Sequence, residues 1–474
     1  MNFKALVDID AIDEPAVGKA RVLKCAVLRH LGRTSDAEKL ARESLEIDCL
    51  NHGCRFELIL LEGNGGEDFT RLMRGDAHNY DELALDYLAA GLKDEADKVW
   101  ETAEKEGAVT IMTYYYKGDY AKAALCSPDF CFPNRLEAVG ALASAPDDDA
   151  KAPYLLGNLF YDKRQYDLAL TNWERSASLD PSFPTVWRNL ALIYYNKKRD
   201  ADKALEAMEK AFALDKSDSR VLMELMQLYK RVGKTAAERL AFLQRYPALT
   251  AERDDLLLEE ITLLNLLGKH EEAMHKLDEH LFHPWEGGEG KVPEQYQLAR
   301  TSLAQKAMSE ERWDDAVSLL EECLVYPPHL GEGKLLCAQE QDFFYLLGCA
   351  HNGAGRIEEA RRWWTKASEG NLEPAAAMYY NDSKPEKIYY QGLALRALGR
   401  EEEAVAKFRK LYDYGTAHLN DHVVMDYFAV SLPDLAVWDE DLDVMNRNLC
   451  ESLIRLGELG LGSFLQATTW KKSE

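Results

Sequence analysis

Residues 151–181, KAPYLLGNLFYDKRQYDLALTNWERSASLDP, and 183–215, FPTVWRNLALIYYNKKRDADKALEAMEKAFALD, are two copies of one pattern. The first copy places Tyr154, Leu156, Gly157, Phe160, Tyr166, Ala169, Trp173, Ser176 and Pro181 in register. The second places Trp187, Leu190, Ala191, Tyr194, Ala204, Met208 and Ala211, and is lengthened by one polar position near Arg199 and Asp200. Self-similarity at a period of about 34 residues is the mark of a helix hairpin that buries its apolar face only against neighbouring copies. Small residues such as Gly157, Ala169 and Ser176 are expected where two helices cross closely, with Phe160, Trp173 and Tyr194 filling the space between crossings.

The period runs outward in both directions. Upstream it is carried by Cys25, Leu28, Ala37 and Ala41, by Leu83, Ala84, Tyr87, Ala96, Trp100 and Ala103, and by Tyr114, Tyr120 and Ala123. Downstream it passes through a degenerate unit at Leu225, Leu228 and Ala237, then Leu257 to Leu277, Leu303 to Cys323, Phe344 to Ala367 and Ile388 to Phe408. Glycines 32, 91, 118, 233, 268, 355 and 399 all fall between the two helices of a hairpin, where a positive φ is needed.

This signature resembles the tetratricopeptide repeat (TPR) family, closely over 150–216 and 341–411 and loosely elsewhere. The expected fold is all-α: a TPR-type α-solenoid, a right-handed superhelix of helix hairpins closed by a capping helical segment. The expected organisation is degenerate repeats over 1–125, a linker or hinge at 126–149, a central array over 150–420 with loops at 283–296 and 369–387, and capping helices over 421–474.

With 474 residues, 47% hydrophobic and 29% charged, the chain has material for a long continuous core, and no apolar run approaches the roughly 20 residues that span a bilayer. A net charge of −25 argues against nucleic acid, whose phosphates would be repelled over most of the surface. The Lys197-Lys198-Arg199 run reads as a solvated helix end. Nine scattered cysteines without CxxC spacing read as small core residues of a reducing compartment, and MNFKALVDIDAIDEP has no signal-peptide pattern, so a cytoplasmic scaffold with no membrane contact is expected.

Reactive constellations are weak. His270 and His275 are five apart, which turns the second side chain about 140° from the first and forbids a shared metal. His280 and His283 are nearer in phase, with the helix expected to end between them. No GxxxxGK[ST] or GxSxG occurs, and the acid pairs at 147–149, 254–255 and 314–315 read as helix starts or linker. The expectation is therefore a non-enzyme with no cofactor and no metal.

Function is then expected in the interruptions and on the first helix of each pair. The 283–296 loop, HPWEGGEGKVPEQY, interleaves glycines with Trp285 and Glu286, where Trp285 either contacts a ligand or plugs a gap between repeats. The 369–387 loop carries Met378-Tyr379-Tyr380-Asn381-Asp382. Groove positions comprise Tyr154, Asn158, Tyr161, Arg188, Asn189 and Tyr195, followed by Tyr345, Asn352, Tyr389 and Arg396. Aromatic faces mixed with amides and guanidinium groups suit an extended peptide or a carbohydrate, or else simply cover the groove.

Two finer resemblances bear on this. In the TPR branch that grips chaperone C-terminal carboxylates, Asn158 and Asn189 fall on the two asparagine positions of the clamp. The three basic positions are Tyr154, Arg220 and Glu224 here, so the clamp's charge is not reproduced and Arg188 alone does not restore it. The stretches PYLLGNLFYDKRQYDLAL, FPTVWRNLALIYYNKKRD, HPWEGGEGKVPEQY and DYFAVSLPDLAVWDEDLD together resemble the C-terminal repeat region of large bacterial proteins. In those proteins the N-terminal half is a β-rich domain of uncharacterised type, with a carbohydrate-related role implied. That resemblance implies a partner in the form of a protein or peptide segment, including the chain's own missing N-terminal domain. The alternative it implies is an accessory carbohydrate-binding or glycan-processing module.

Overall fold

A computed structural model describes residues 18–285, 287–370, 372–376, 382, 384–424 and 437–462. Among them the protein is all-α, with 25 α-helices in paired hairpins, one 3-10 turn at Pro328–Leu330 and no strand. The chain divides into two compact units, Met1–Leu190 and Ala191–Glu474.

In the first unit the hairpins include Gly18–His30 with Thr34–Ile47, Ala77–Ala89 with Lys93–Glu106, and Lys151–Asp162 with Tyr166–Leu179. Their period-matched residues are the core: Ala84, Ala96 and Ala103 are fully buried, beside Tyr80, Tyr87 and Trp100. Residues 126–149 carry the helix Leu136–Ala143. Cys131, Ala138 and Leu142 from this stretch share one core with Tyr115 and Leu155, so the segment expected as a linker contributes packed apolar surface.

The second unit contains Asp254–Leu266 with His270–Glu279, Lys291–Ser309 with Trp313–Glu322, Gln341–Gly353 with Ile357–Ser368, and Lys387–Ala397 with Glu401–His418. The degenerate repeat pairs Ser219–Arg231 with Ala236–Leu243, the latter started by a Thr235–Glu238 capping box. The last helix, Leu442–Leu461, lies against Glu401–His418. That contact is close because glycines face it: a Cβ on Gly415 would sit 2.6 Å from the Cys450 carbonyl oxygen, and one on Gly460 2.1 Å from the Phe408 ring.

All seven inter-helix glycines adopt φ between 70° and 80°. In three hairpins the same left-handed position is filled by a residue with a Cβ, namely Arg164 (φ 58°), Arg199 (φ 56°) and Glu311 (φ 59°). Two of these belong to the repeats whose sequence pattern is clearest, so the glycine is dispensable where the rest of the hairpin is well specified.

Candidate functional site

The expected groove residues fall into separate clusters. In the first unit, helix Lys151–Asp162 places Tyr154, Asn158 and Tyr161 on one face at i, i+4 and i+7. Trp173 from the second helix of the hairpin donates its indole N–H to Asn158 Oδ1 at 3.0 Å and to the Tyr154 carbonyl at 3.2 Å. The Asn189 amide donates to the same Asn158 oxygen at 3.0 Å, so the two asparagines of successive repeats form a ladder. Arg188 Nη1 lies 3.4 Å from Asn189 Oδ1. Tyr161 packs on Tyr166 and Trp173 with ring centres 5.3 and 5.4 Å apart, and Tyr154 meets Phe183 edge-on at 4.8 Å. Burial holds the Tyr154 hydroxyl above its usual value, with the hydrogen bond to Asn158 acting the other way. The cluster is thus a fixed array of neutral amide and phenol groups beside one guanidinium.

In the second unit Tyr195 stands edge-on to Trp438, with ring centres 5.2 Å apart. Trp438 is 1% exposed and donates its indole N–H to the Glu224 carbonyl at 3.0 Å. Asn196 spans the residue on either side of it: its Nδ2 donates to the Val437 carbonyl at 2.9 Å and its Oδ1 accepts from the Asp439 N–H at 2.9 Å. One asparagine amide thus satisfies a backbone carbonyl and a backbone N–H of a non-helical segment that bends at Val437 and Trp438. Lys197 and Arg199 lie 3.4 and 3.6 Å from the Asp439 carboxylate, and Arg231 lies 2.8 Å from that of Glu440. The basic run expected as a solvated helix end is therefore partly committed to ion pairs. Glu224 also accepts from Arg220 Nε at 3.1 Å, so two of the three positions compared with the clamp's basic residues pair with each other beside this cluster.

Tyr345 and Tyr389 flank Tyr390, at ring-centre distances of 6.1 and 5.6 Å, and Tyr389 also packs 5.6 Å from Phe408. Burial pushes the Tyr345 phenol well up, with the neighbouring Cys349 adding to it. Tyr390 helps line a cavity of about 420 Å³ with Gln297, Thr301, Tyr326 and the Lys387–Asp342 ion pair. Trp285 is half-buried over Gly288, where a Cβ would come within 2.2 Å of its indole. With Pro284, Glu289 and Glu332 it frames a shallow depression, and Glu332 accepts from the Gly290 N–H at 2.7 Å. Glu286 lies outside the described residues, as do Met378, Tyr379, Tyr380 and Asn381.

The histidines each have a local partner: His270 Nδ1 lies 3.0 Å from Asn265 Oδ1 and His275 Nε2 lies 3.1 Å from the Glu279 carboxylate. Helix His270–Glu279 ends one residue before His280, earlier than expected, and Asp254 takes both His280 Nε2 (2.7 Å) and the His283 N–H (2.6 Å). Among the described residues no group of three or more His, Cys, Asp or Glu side chains is arranged to hold a metal ion, and no helix is long and apolar enough to cross a membrane.

Asn196 and Arg231 were not singled out from sequence, and Glu224 and the 437–440 stretch were noted only for resemblances, not as parts of one cluster. The available signal was the VWDED stretch at 437–441, a tryptophan followed directly by three acids outside any repeat.

A family model described as TPR repeat matches residues 157–198. The protein is thus an all-α repeat protein carrying a TPR repeat, as the periodicity anticipated. Among solved structures it is similar to a tetratricopeptide repeat protein from Parabacteroides merdae (13% identity, 65% of this chain and 98% of that one, TM-score 0.36). It is also similar to a thermophilic TPR protein from Thermus thermophilus (22% identity, 37% and 90%, TM-score 0.23). A third likeness is to the TPR2AB domain of yeast Sti1 in a complex with pHSP90 (14% identity, 65% and 98%, TM-score 0.25). At these scores the three likenesses carry no weight beyond the repeat match itself.

Proposed function

We propose that this protein is a non-catalytic scaffold that binds an extended protein segment along the first-helix faces of its hairpins. The residues that carry it are Tyr154, Asn158, Tyr161, Arg188 and Asn189 in the first unit and, as separate clusters, Tyr195, Tyr345 and Tyr389 in the second. The supporting observation is the grip of Asn196 on both the Val437 carbonyl and the Asp439 N–H. An inner-helix asparagine of this array holds main chain, which every peptide offers. The hairpins are also of the TPR type, which generally mediates protein–protein binding. The partner is a protein or peptide segment, a β-rich domain that precedes this region in a longer protein being one such partner.

One observation favours a second reading, an accessory carbohydrate-binding module. Trp285 beside Glu289 and Glu332 offers an aromatic face with acceptors at its edge, which suits a sugar ring. Thermal-shift measurements against short peptides and against oligosaccharides separate the two. A peptide-induced rise that Arg188→Ala abolishes, with no response to sugars, supports the scaffold. A rise with oligosaccharides that Trp285→Ala removes, with none from peptides, replaces it.

A further inference from the structure

The 437–440 segment is joined to its surroundings by contacts that bridge more than 200 positions of sequence. Its geometry is that of a bound peptide. The Trp438 side chain is the anchor: fully buried, edge-on to Tyr195, its N–H on the Glu224 carbonyl. The backbone on both sides is read by one amide, Asn196. The two acids that follow meet three cations, Lys197, Arg199 and Arg231. Immediately beyond, Asp441 caps the last helix by accepting from the Asp443 and Val444 N–H groups at 3.1 Å, and that helix has its own packing against Glu401–His418. The segment can therefore leave its seat while the helix stays docked. Whatever replaced it would need the same three features in the same order: an aromatic anchor, a free backbone on either side, and carboxylates next in sequence.

We propose that the surface formed by Tyr195, Asn196, Glu224 and Arg231 is a recognition site for an extended partner segment in which tryptophan is followed by two acidic residues, and that 437–440 occupies it in cis. This rests on the peptide-scaffold reading and names the chemistry of the partner. The tethered segment competes at a high effective concentration, so a free peptide of the same sequence binds the intact chain weakly. Vacating the seat removes that competition. The acidic partner chemistry also fits the three cations of this surface, in a chain whose net charge of −25 disfavours an acidic segment overall.

The test uses a fluorescein-labelled decapeptide of residues 434–443, DLAVWDEDLD, titrated by anisotropy against the full chain. The Trp438→Ala chain is expected to bind it at least tenfold more tightly than the wild type. Adding Asn196→Ala to that chain, or replacing the peptide's tryptophan by alanine, is expected to lose at least tenfold. Equal binding by wild type and a folded Trp438→Ala chain, or binding that ignores Asn196→Ala, overturns the proposal. If circular dichroism shows Trp438→Ala to be unfolded, the Asp439→Lys, Glu440→Lys double variant serves, since it repels the segment from Lys197 and Arg231 while keeping the indole. It should raise binding of the wild-type peptide in the same way, and an unchanged affinity is contradictory. A panel of unrelated peptides on the vacated chain keeps the two claims apart. Binding of some other peptide without this one sinks the partner assignment and leaves the scaffold reading, whereas binding of none sinks both. A wild-type dimer that Trp438→Ala dissolves would assign the seat to exchange between two copies and overturn the proposal.

Discussion

The indole of Trp173 lies directly against Gly157, where an added Cβ would come within 2.4 Å of both Cδ1 and Nε1. Trp364 meets Gly348 in the same way at 2.3 Å. The glycine of the first helix and the tryptophan of the second are thus one device. The missing Cβ lets the indole approach until its N–H reaches Asn158 Oδ1, which fixes an amide of the candidate binding face. Gly157→Ala is expected to destabilise the first unit by about 1–3 kcal/mol through overpacking. In a Trp173→Leu background the same change should cost far less. Urea unfolding of the four proteins of this cycle gives the coupling, and additive effects would contradict the device.

Arg164 holds φ 58° at the turn where seven other hairpins place glycine. A residue with a Cβ in that region carries strain of about 1–2 kcal/mol, offset in part by the greater freedom of an unfolded glycine. Arg164→Gly is therefore expected to raise stability by about 0.5–1 kcal/mol, read as a higher melting temperature. A lower melting temperature would show that the turn is not strained.

Asp81 is 5% exposed and accepts from Trp100 Nε1 and Thr113 Oγ1, both at 3.0 Å. Burial pushes its carboxyl up from 3.8 to about 6, against the pull of those two hydrogen bonds. Because the folded value is the higher one, the folded chain takes up this proton first as pH falls. The ionised group costs stability above pH 6, and the cost fades between about 6 and the unfolded value near 3.8. Asp81→Asn keeps an acceptor for the indole and removes the charge. The variant is expected to be more stable than the wild type by on the order of 3 kcal/mol at pH 7.5, the gap closing by pH 4. A gap independent of pH would contradict the assignment.

Phe408 and Leu411 are fully buried, and the last helix covers them, with Gly457 and Gly460 against Phe408 and Leu453 in one core cluster with Leu411. A chain truncated after Asn420 loses that cover along with the 437–440 segment. It is expected to melt several degrees lower and to self-associate in sedimentation experiments, because the apolar face of Glu401–His418 is then open to water. A monomer with unchanged melting would remove the capping role.

The hairpins were legible in the sequence because a repeat writes its neighbour contacts at a fixed spacing. Gly157, Ala169 and Trp173 specify a crossing within one repeat, and Ala84, Ala96 and Trp100 specify another. The turn glycines were legible for the same reason, whereas Arg164, Arg199 and Glu311 break the rule without altering the turn. Asn158 and Asn189 could be placed on inner faces, but not the ladder between them, which depends on the indole of Trp173. The Trp438 seat was not legible at all. Asn196 and Asp439 are 243 positions apart, and no period links a repeat residue to a segment outside the array.

Hydrogen exchange along the Trp438→Ala chain, with and without the 434–443 decapeptide, tests the central claim most directly, because it locates a bound segment without assuming where it sits. The account predicts slowed exchange on addition of peptide in Pro184–Asn196 and Ser219–Arg231, whose residues form the seat. Protection confined to the second helices of the hairpins, or to the Trp285 loop, would contradict it.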